Sequence, residues 1–305
     1  MTAMQPQLPP DVGRPRPWLR VVRHNPLTVV GTCIVGASIL LALFGGVVAP
    51  YDPEVPTGRV SEPPPSLPRV PGLLLATVRG QLDQPVHWFG TDSAGLDVFS
   101  RVVCAPRVDV VVGLAATALS LALGTFLGLL AGYYRTGSSE ALTRISDVFQ
   151  SFPVFILAMI LVVLTGRSLL NIVLTLAVLF TPIFLRLTRS QVVTQRSRTY
   201  VEAARAVGHR EIVIALKHVL RNSMAPSLIQ ASVTVGWAIL LTAGLSFIGA
   251  GVRPPTPEWG GMIATGASLI VLGEWWPSVF PGIAISVTVF GYAVFGNLLE
   301  DRYGR

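Results

Sequence analysis

The sequence predicts an all-α integral membrane protein with six transmembrane helices and both termini cytoplasmic. Composition, the lengths of the apolar runs and the placement of arginine each point there. Of 305 residues, 51% are hydrophobic and only 13% charged, with a mean hydropathy of +0.61. Soluble domains carry about 25% charged residues, so this balance could not cover a water-exposed surface. Six apolar stretches approach the ~20 residues needed to cross the hydrocarbon core. They run approximately Leu27–Ala49, Val108–Tyr133, Val148–Leu164, Leu169–Leu187, Leu228–Gly251 and Pro277–Leu299. None shows the polar–apolar alternation of barrel strands. With the N-terminus inside, 16 of the 23 basic residues fall in inner segments and 9 of the 16 acidic residues in outer ones, as the positive-inside rule requires. The formal charge of +7 then reflects topology and contact with anionic lipid. No basic run is interleaved with aromatics, which argues against nucleic acid.

The chain divides accordingly. Residues 1–26 form a cytoplasmic tail, 27–49 an anchor helix, and 50–107 a Pro-rich extracytoplasmic segment. Residues 108–299 form the main transmembrane domain with a cytoplasmic loop at 188–227, and 300–305 a short inner tail. The first span is free of charge. At about 23 residues it exceeds the h-region of a secretory signal, and Pro50 directly after Ala49 is a poor cleavage site. It reads as a retained anchor. Cys33 lies in that span and Cys104 near the outer end of the next, so neither a bridge nor a metal motif is indicated.

Pro50, Pro53, Pro56, Pro63, Pro64, Pro65, Pro68 and Pro71 keep the next segment extended. Gly72–Gly80 reads as a short surface helix. The run from His87 to Asp97 combines two aromatics, Trp88 and Phe89, with Gly90, Gly95 and the carboxylates Asp92 and Asp97. Trp88 and Phe89 suit a membrane interface, and Thr91 or Asp92 suits a turn cap. Nothing there has catalytic geometry.

In the second span Ala116, Ser120, Gly124, Gly128 and Gly132 recur every four residues along one face. Small residues let helix backbones approach closely, so this is a packing seam. Asp109 sits at the edge of that span. The third span is the weakest, being short and containing Pro153, which neighbouring helices can accommodate.

Between the fourth and fifth spans lies Tyr200-Val201-Glu202-Ala203-Ala204-Arg205-Ala206-Val207-Gly208. Thr199 and Glu202 have capping-box spacing. The alanines favour helix and present a flat surface, and Gly208 suits the left-handed residue that ends it. A second helical run follows from Glu211 to about Leu220. These residues alone fit either a solvated surface helix or a docking element. After the fifth span, Ser246, Phe247, Gly249 and Gly251 lead into Pro254, Pro255 and Pro257, then Trp259, Gly260 and Met262. This fits an ordinary outer loop or a segment bordering a translocation path, where irregular backbone at membrane depth is tolerated.

These motifs carry a resemblance over residues 23–299. The chain resembles the DppC/OppC-type permease subunits of bacterial dipeptide and oligopeptide ABC importers, inner-membrane components of binding-protein-dependent transport. Phe89-Gly90-Thr91-Asp92 with Gly95, Asp97-Val98 and Ser100-Arg101 is similar to that family's outer entry to the core. Glu202-Ala203-Ala204 with Gly208 resembles its EAA loop, and Ser246–Met262 fits its pattern SFxGxGVxPPxPxWGxM. The resemblance implies a five-helix MetI-like permease core plus one N-terminal anchor helix in the bacterial plasma membrane. It implies that Tyr200–Val207 is the coupling helix, seated in a cleft of an ATPase subunit, with Gly208 letting the chain turn back to the fifth span. The implied partners are a homologous DppB/OppB-like permease, two ATPase subunits of the DppD/DppF or OppD/OppF type, and an extracytoplasmic peptide-binding protein. ATP and Mg would be bound by those ATPase subunits, with no cofactor in this chain. Related permeases carry glutathione or nickel chelates, which remain alternative cargoes. The chain departs from the family at Arg221, where proline is frequent, and at Leu298–Arg302.

Other classes fit less well. A P-loop needs GxxxxGK[ST], yet the lone lysine, Lys217, follows Leu216. Gly266-Ala267-Ser268 superficially resembles a rhomboid serine motif, but all four histidines lie outside the spans and none follows Ser268, so no base serves a nucleophile. A self-sufficient channel needs a ring of charges or carbonyls, and the spans read as lacking interior charge.

Overall fold

A computed structural model describes residues 26–71, 73, 86–134 and 137–303. The predicted helix at Gly72–Gly80 lies, except for Leu73, outside the described residues. The elements are α1 (Pro26–Val48), α2 (Val98–Cys104), α3 (Pro106–Tyr133), α4 (Gly137–Ser151), α5 (Val154–Thr165), α6 (Leu169–Arg196) and α7 (Thr199–Ala206). There follow α8 (Glu211–Val213), a π-helical stretch (Ile214–Leu220), α9 (Arg221–Ser223), α10 (Ala225–Phe247), α11 (Trp259–Ala267) and α12 (Trp276–Tyr303). No strand is present among the described residues. Five helical segments are long and apolar enough to cross a membrane: α1, α2 running into α3, α6, α10 and α12.

The third predicted span differs. It breaks at Phe152-Pro153 into α4 and α5, which meet at 95°. Proline supplies no N–H and clashes with the preceding turn, and Phe152, Pro153 and Val154 are all exposed. The 12 residues of α5 extend about 18 Å at 1.5 Å per residue, too short to cross alone.

Close approach, rather than burial from water, holds such helices together. The seam residues of α3 face α6. A Cβ on Gly124 would stand 2.6 Å from the Thr181 carbonyl oxygen, and one on Gly128 2.6 Å from that of Leu185. Gly132 is pressed on Val192 in the same way, and Ala116 and Ser120 are fully buried on the same helix. On the other flank α12 packs on α10 and α1, with Gly31 against Val294 and Gly291 against Ile34. The side chains gather in three clusters. One joins α3, α5, α6 and α10; a second joins α1, α2, α3, α10, α11 and α12; a third, around Val201, joins the ends of α3 and α6 to α7 and the π-helical stretch.

The Pro-rich segment is fastened to the end of the bundle where α2 begins. Thr91 N–H donates to the Glu62 carbonyl (2.9 Å), and Trp276 Nε1–H to the Thr91 carbonyl (2.9 Å). Gly90, at φ +73°, leaves no room for a side chain against Glu62. Asp97 caps α2 through Ser100 N (2.7 Å) and pairs with His87 Nδ1 (2.7 Å), both side chains buried. Asp92 closes a turn by accepting from Ala94 N and Leu96 N.

Candidate functional site: a docking helix and an anchored loop

The helix α7 closes as its sequence predicts. Gly208 takes φ +87°. Its N–H donates to the Arg205 carbonyl (2.9 Å), and His209 N–H reaches back to that of Ala204 (3.2 Å). This pair of bonds is a Schellman stop.

The start of α7 differs from expectation. Thr199 is already the first helical residue, the N-cap position belongs to Arg198, and no side chain caps the end. Thr199 therefore sits one position too late for its hydroxyl to reach the N2 or N3 amide, and Glu202 has no cap to reciprocate.

The two faces of α7 differ in burial. Val201 is fully buried, and with Tyr200 and Ala204 it rests on Leu129, Tyr133, Val192 and Ile214. Glu202, Ala203, Arg205, Ala206, Val207 and Gly208 are exposed, Val207 to 79%. The flat alanine surface is thus made by Ala203 and Ala206, while Ala204 turns inward. Arg205 binds Glu211 with Nε–Oε1 2.8 Å and Nη2–Oε2 3.4 Å, and the Tyr133 hydroxyl donates to the same carboxylate. These hydrogen bonds, from Arg205 first and then Tyr133, hold the Glu211 carboxyl below its ordinary range.

The second helical run is longer than predicted. It continues through Arg221 to Ser223, and seven of its residues form a π-helix, a rare form that is frequent at functional sites. Arg221 at the position where proline is frequent lets the helix pass without a break.

The loop after α10 lies at the opposite end of that helix. A second Schellman stop ends α10: Gly249 has φ +80°, its N–H donates to Ser246 O (3.0 Å), and Ala250 N–H to Leu245 O (2.8 Å). Ser246, Gly251, Pro257, Trp259, Gly260 and Met262 are buried; Phe247, Gly249, Pro254 and Pro255 are exposed. A Cβ on Gly251 would strike Ser246, and one on Gly260 would stand 2.2 Å from the Ala243 carbonyl oxygen. Trp259 Nε1–H donates to Val102 O (3.1 Å), locking the loop onto α2.

Asp109 is not at an edge. It is fully buried, and its Oδ2 accepts from Trp259 N (3.1 Å). Glu258 accepts from Gly260 N (2.9 Å) and Gly261 N (2.6 Å). Two carboxyls from distant parts of the chain therefore meet at the N-terminus of α11, where free N–H groups and the helix dipole favour them. Neither has a basic partner within 4 Å among the described residues. This corrects the reading that the spans lack interior charge. The available signal was an aspartate flanked by valines, since an ionisable residue in a span is a functional candidate by default.

Cys33 and Cys104 are both free. Among the described residues no three His, Cys, Asp or Glu side chains gather as a metal site.

Residues 124–305 match the family model described as binding-protein-dependent transport system inner membrane component, and residues 16–64 that of the N-terminal transmembrane domain of oligopeptide transport permease C. Among similar proteins, the probable D,D-dipeptide transport system permease protein DdpC of Escherichia coli K12 is 35% identical over 93% of this chain and 88% of its own. The dipeptide transport system permease protein DppC of Alkalihalophilus pseudofirmus is 35% identical over the same shares. The glutathione transport system permease protein GsiD of Pectobacterium atrosepticum is 32% identical, again over 93% and 88%. Such permeases are multi-pass proteins of the bacterial inner membrane that lack an ATPase site, hydrolysis being carried by partner subunits. With helices that span, breaks that are shaped, and a family model covering more than half its length, this chain belongs to the inner-membrane permease components of binding-protein-dependent ABC transport systems.

Proposed function

We propose that this chain is one of two permease halves through which di- or oligopeptides cross the plasma membrane, and that α7 is where ATPase motion enters it. The observation that carries the second part is the division of α7. An inward apolar face is fixed to the ends of α3 and α6, while an outward face of Glu202, Ala203 and Ala206 is exposed, with no partner among the described residues. On this reading the α7 end faces the cytoplasm, and both termini lie there. The Pro-rich end faces outward, where a binding protein delivers cargo. The partners are a homologous permease, two ATPase subunits holding ATP and Mg, and that binding protein. Approach of the two ATPase subunits draws the two coupling helices together, and the rigid helices turn this into rocking of the bundles.

The loop from Ser246 to Met262 borders the path on this account. Its buried members hold α11 on α2 and α10, and its exposed members Phe247, Pro254 and Pro255 line the passage. Peptide as cargo is supported by the names of the relatives at 35% identity. Similarity to GsiD supports glutathione, itself a modified tripeptide, as the second reading.

Native mass spectrometry of the cognate binding protein tests the cargo, followed by ATP-dependent uptake of that cargo into proteoliposomes holding the full complex. A peptide that is found bound and then accumulates is the expected result. A metal chelate as sole cargo overturns the peptide assignment.

A further inference from the structure

Glu211 stands outside the docking face, yet its carboxylate joins two elements that move in any coupling mechanism. It takes both N–H bonds of Arg205, on α7, and the hydroxyl of Tyr133, the last residue of α3. Arg196, the last residue of α6, places its guanidinium 5.5 Å from the centre of the Tyr133 ring. The ends of both seam helices and the docking helix thus converge on one tyrosine and one carboxylate.

An exposed ion pair is the plainer account of Arg205 and Glu211, whose side chains are 36% and 51% exposed. Such pairs contribute little to stability. That argues for a geometric role rather than against one. The Val201 cluster attaches α7 by apolar contact, which is non-directional and tolerates sliding. A bidentate arginine–carboxylate pair fixes direction and register. Tyr133 is 2% exposed, so the hydroxyl is held by a ring that cannot swing away. Glu211, drawn below its ordinary range by these same bonds, keeps the charge that the pair needs.

We infer that Tyr133 and Glu211 are positioning residues of the transport cycle, forming the strut by which displacement of α7 is passed to α3 and α6 as one body. The inference rests on the docking reading of α7 and adds a specific route from it. The strut does not touch the exposed face of Ala203 and Ala206, so its loss leaves docking in place.

Tyr133→Phe removes one hydroxyl and keeps the buried ring; Glu211→Gln removes the charge from the other end. Each, and the double variant, is assembled with the partner permease and ATPase subunits in proteoliposomes. Basal ATP hydrolysis is compared with hydrolysis stimulated by the cognate binding protein purified with its own cargo. The expected result is normal recovery of the ATPase subunits, unchanged basal hydrolysis, and stimulation reduced roughly two- to thirtyfold, the range for changes along a coupling network. The double variant is no worse than the more damaging single, because both cut one strut. Normal stimulation in both single variants overturns the inference, as do multiplying defects or poor recovery of the ATPase subunits. Failure of the docking reading is separate: in that case the unaltered complex shows no crosslink from α7 to an ATPase subunit.

Discussion

At the scale of single residues, Gly208 and Glu202 make opposite predictions. Among the described residues nothing lies within 4 Å of a Cβ built on Gly208, yet its φ is +87°. Within this subunit any defect on substitution is therefore backbone strain, about 1–2 kcal/mol for an ordinary L-residue. Gly208→Val is expected to weaken recovery of the ATPase subunits with the complex, while Gly208→Asn, which tolerates this conformation, largely preserves it. Equal recovery for both variants contradicts the assignment. Glu202 caps nothing in α7, so Glu202→Ala should change helix stability by less than about 0.5 kcal/mol. A loss of ATPase binding in a thermally unchanged Glu202→Ala subunit then reports a contact across the docking face. A clear fall in thermal stability would contradict this. Gly208 was legible because few residues adopt a left-handed stop. The missing cap was not, because a shift of one residue in the helix start moves Thr199 out of reach. Asp109 was passed over for a related reason: one-dimensional position placed it near a span's end, and its meeting with Glu258 and Trp259 spans 150 residues of sequence.

At the scale of elements, the glycine seam is the firmest joint. Gly128 has backbone of α6 within 2.6 Å of a Cβ, whereas Gly36 on α1 has nothing within 4 Å among the described residues. Gly128→Ala should force α3 and α6 apart at a cost of about 1–3 kcal/mol, the usual range for overpacking. Gly36→Ala should be neutral or slightly stabilising, since alanine favours helix over glycine. Thermal midpoints of the two purified complexes check this; the reverse order would dismiss the seam. Span existence was legible from hydropathy, and α1, α6, α10 and α12 begin within a few residues of the predicted starts. Two features were not. Pro153 was read as tolerated, but straightening there needs packed neighbours, and Phe152, Pro153 and Val154 are exposed among the described residues. The π-helical stretch has no signature in Ile214–Leu220, because seven residues are too few to separate its wider apolar spacing from that of an ordinary helix.

At the scale of the molecule, the two ends of the bundle are built differently. The Pro-rich end is tied by buried bonds: Trp276 to Thr91, Trp259 to Val102, and Asp109 and Glu258 to the start of α11. The α7 end buries Val201 inward and leaves outward a surface of Glu202, Ala203, Ala206 and the exposed Val207. A rigid cap at one end and, on the proposed reading, a docking plane at the other suit a body that tilts as a unit. Site-directed crosslinking across that plane is the most direct test. Single cysteines at Ala203, Ala206 and Ala204 are introduced into the assembled complex and paired with a short bifunctional reagent. Ala203 and Ala206 are predicted to capture an ATPase subunit, with a yield that rises when nucleotide is added, while inward-facing Ala204 captures none. If Ala203 and Ala206 react only with lipid-soluble or aqueous probes and never with an ATPase subunit, α7 is not the point at which force enters this protein.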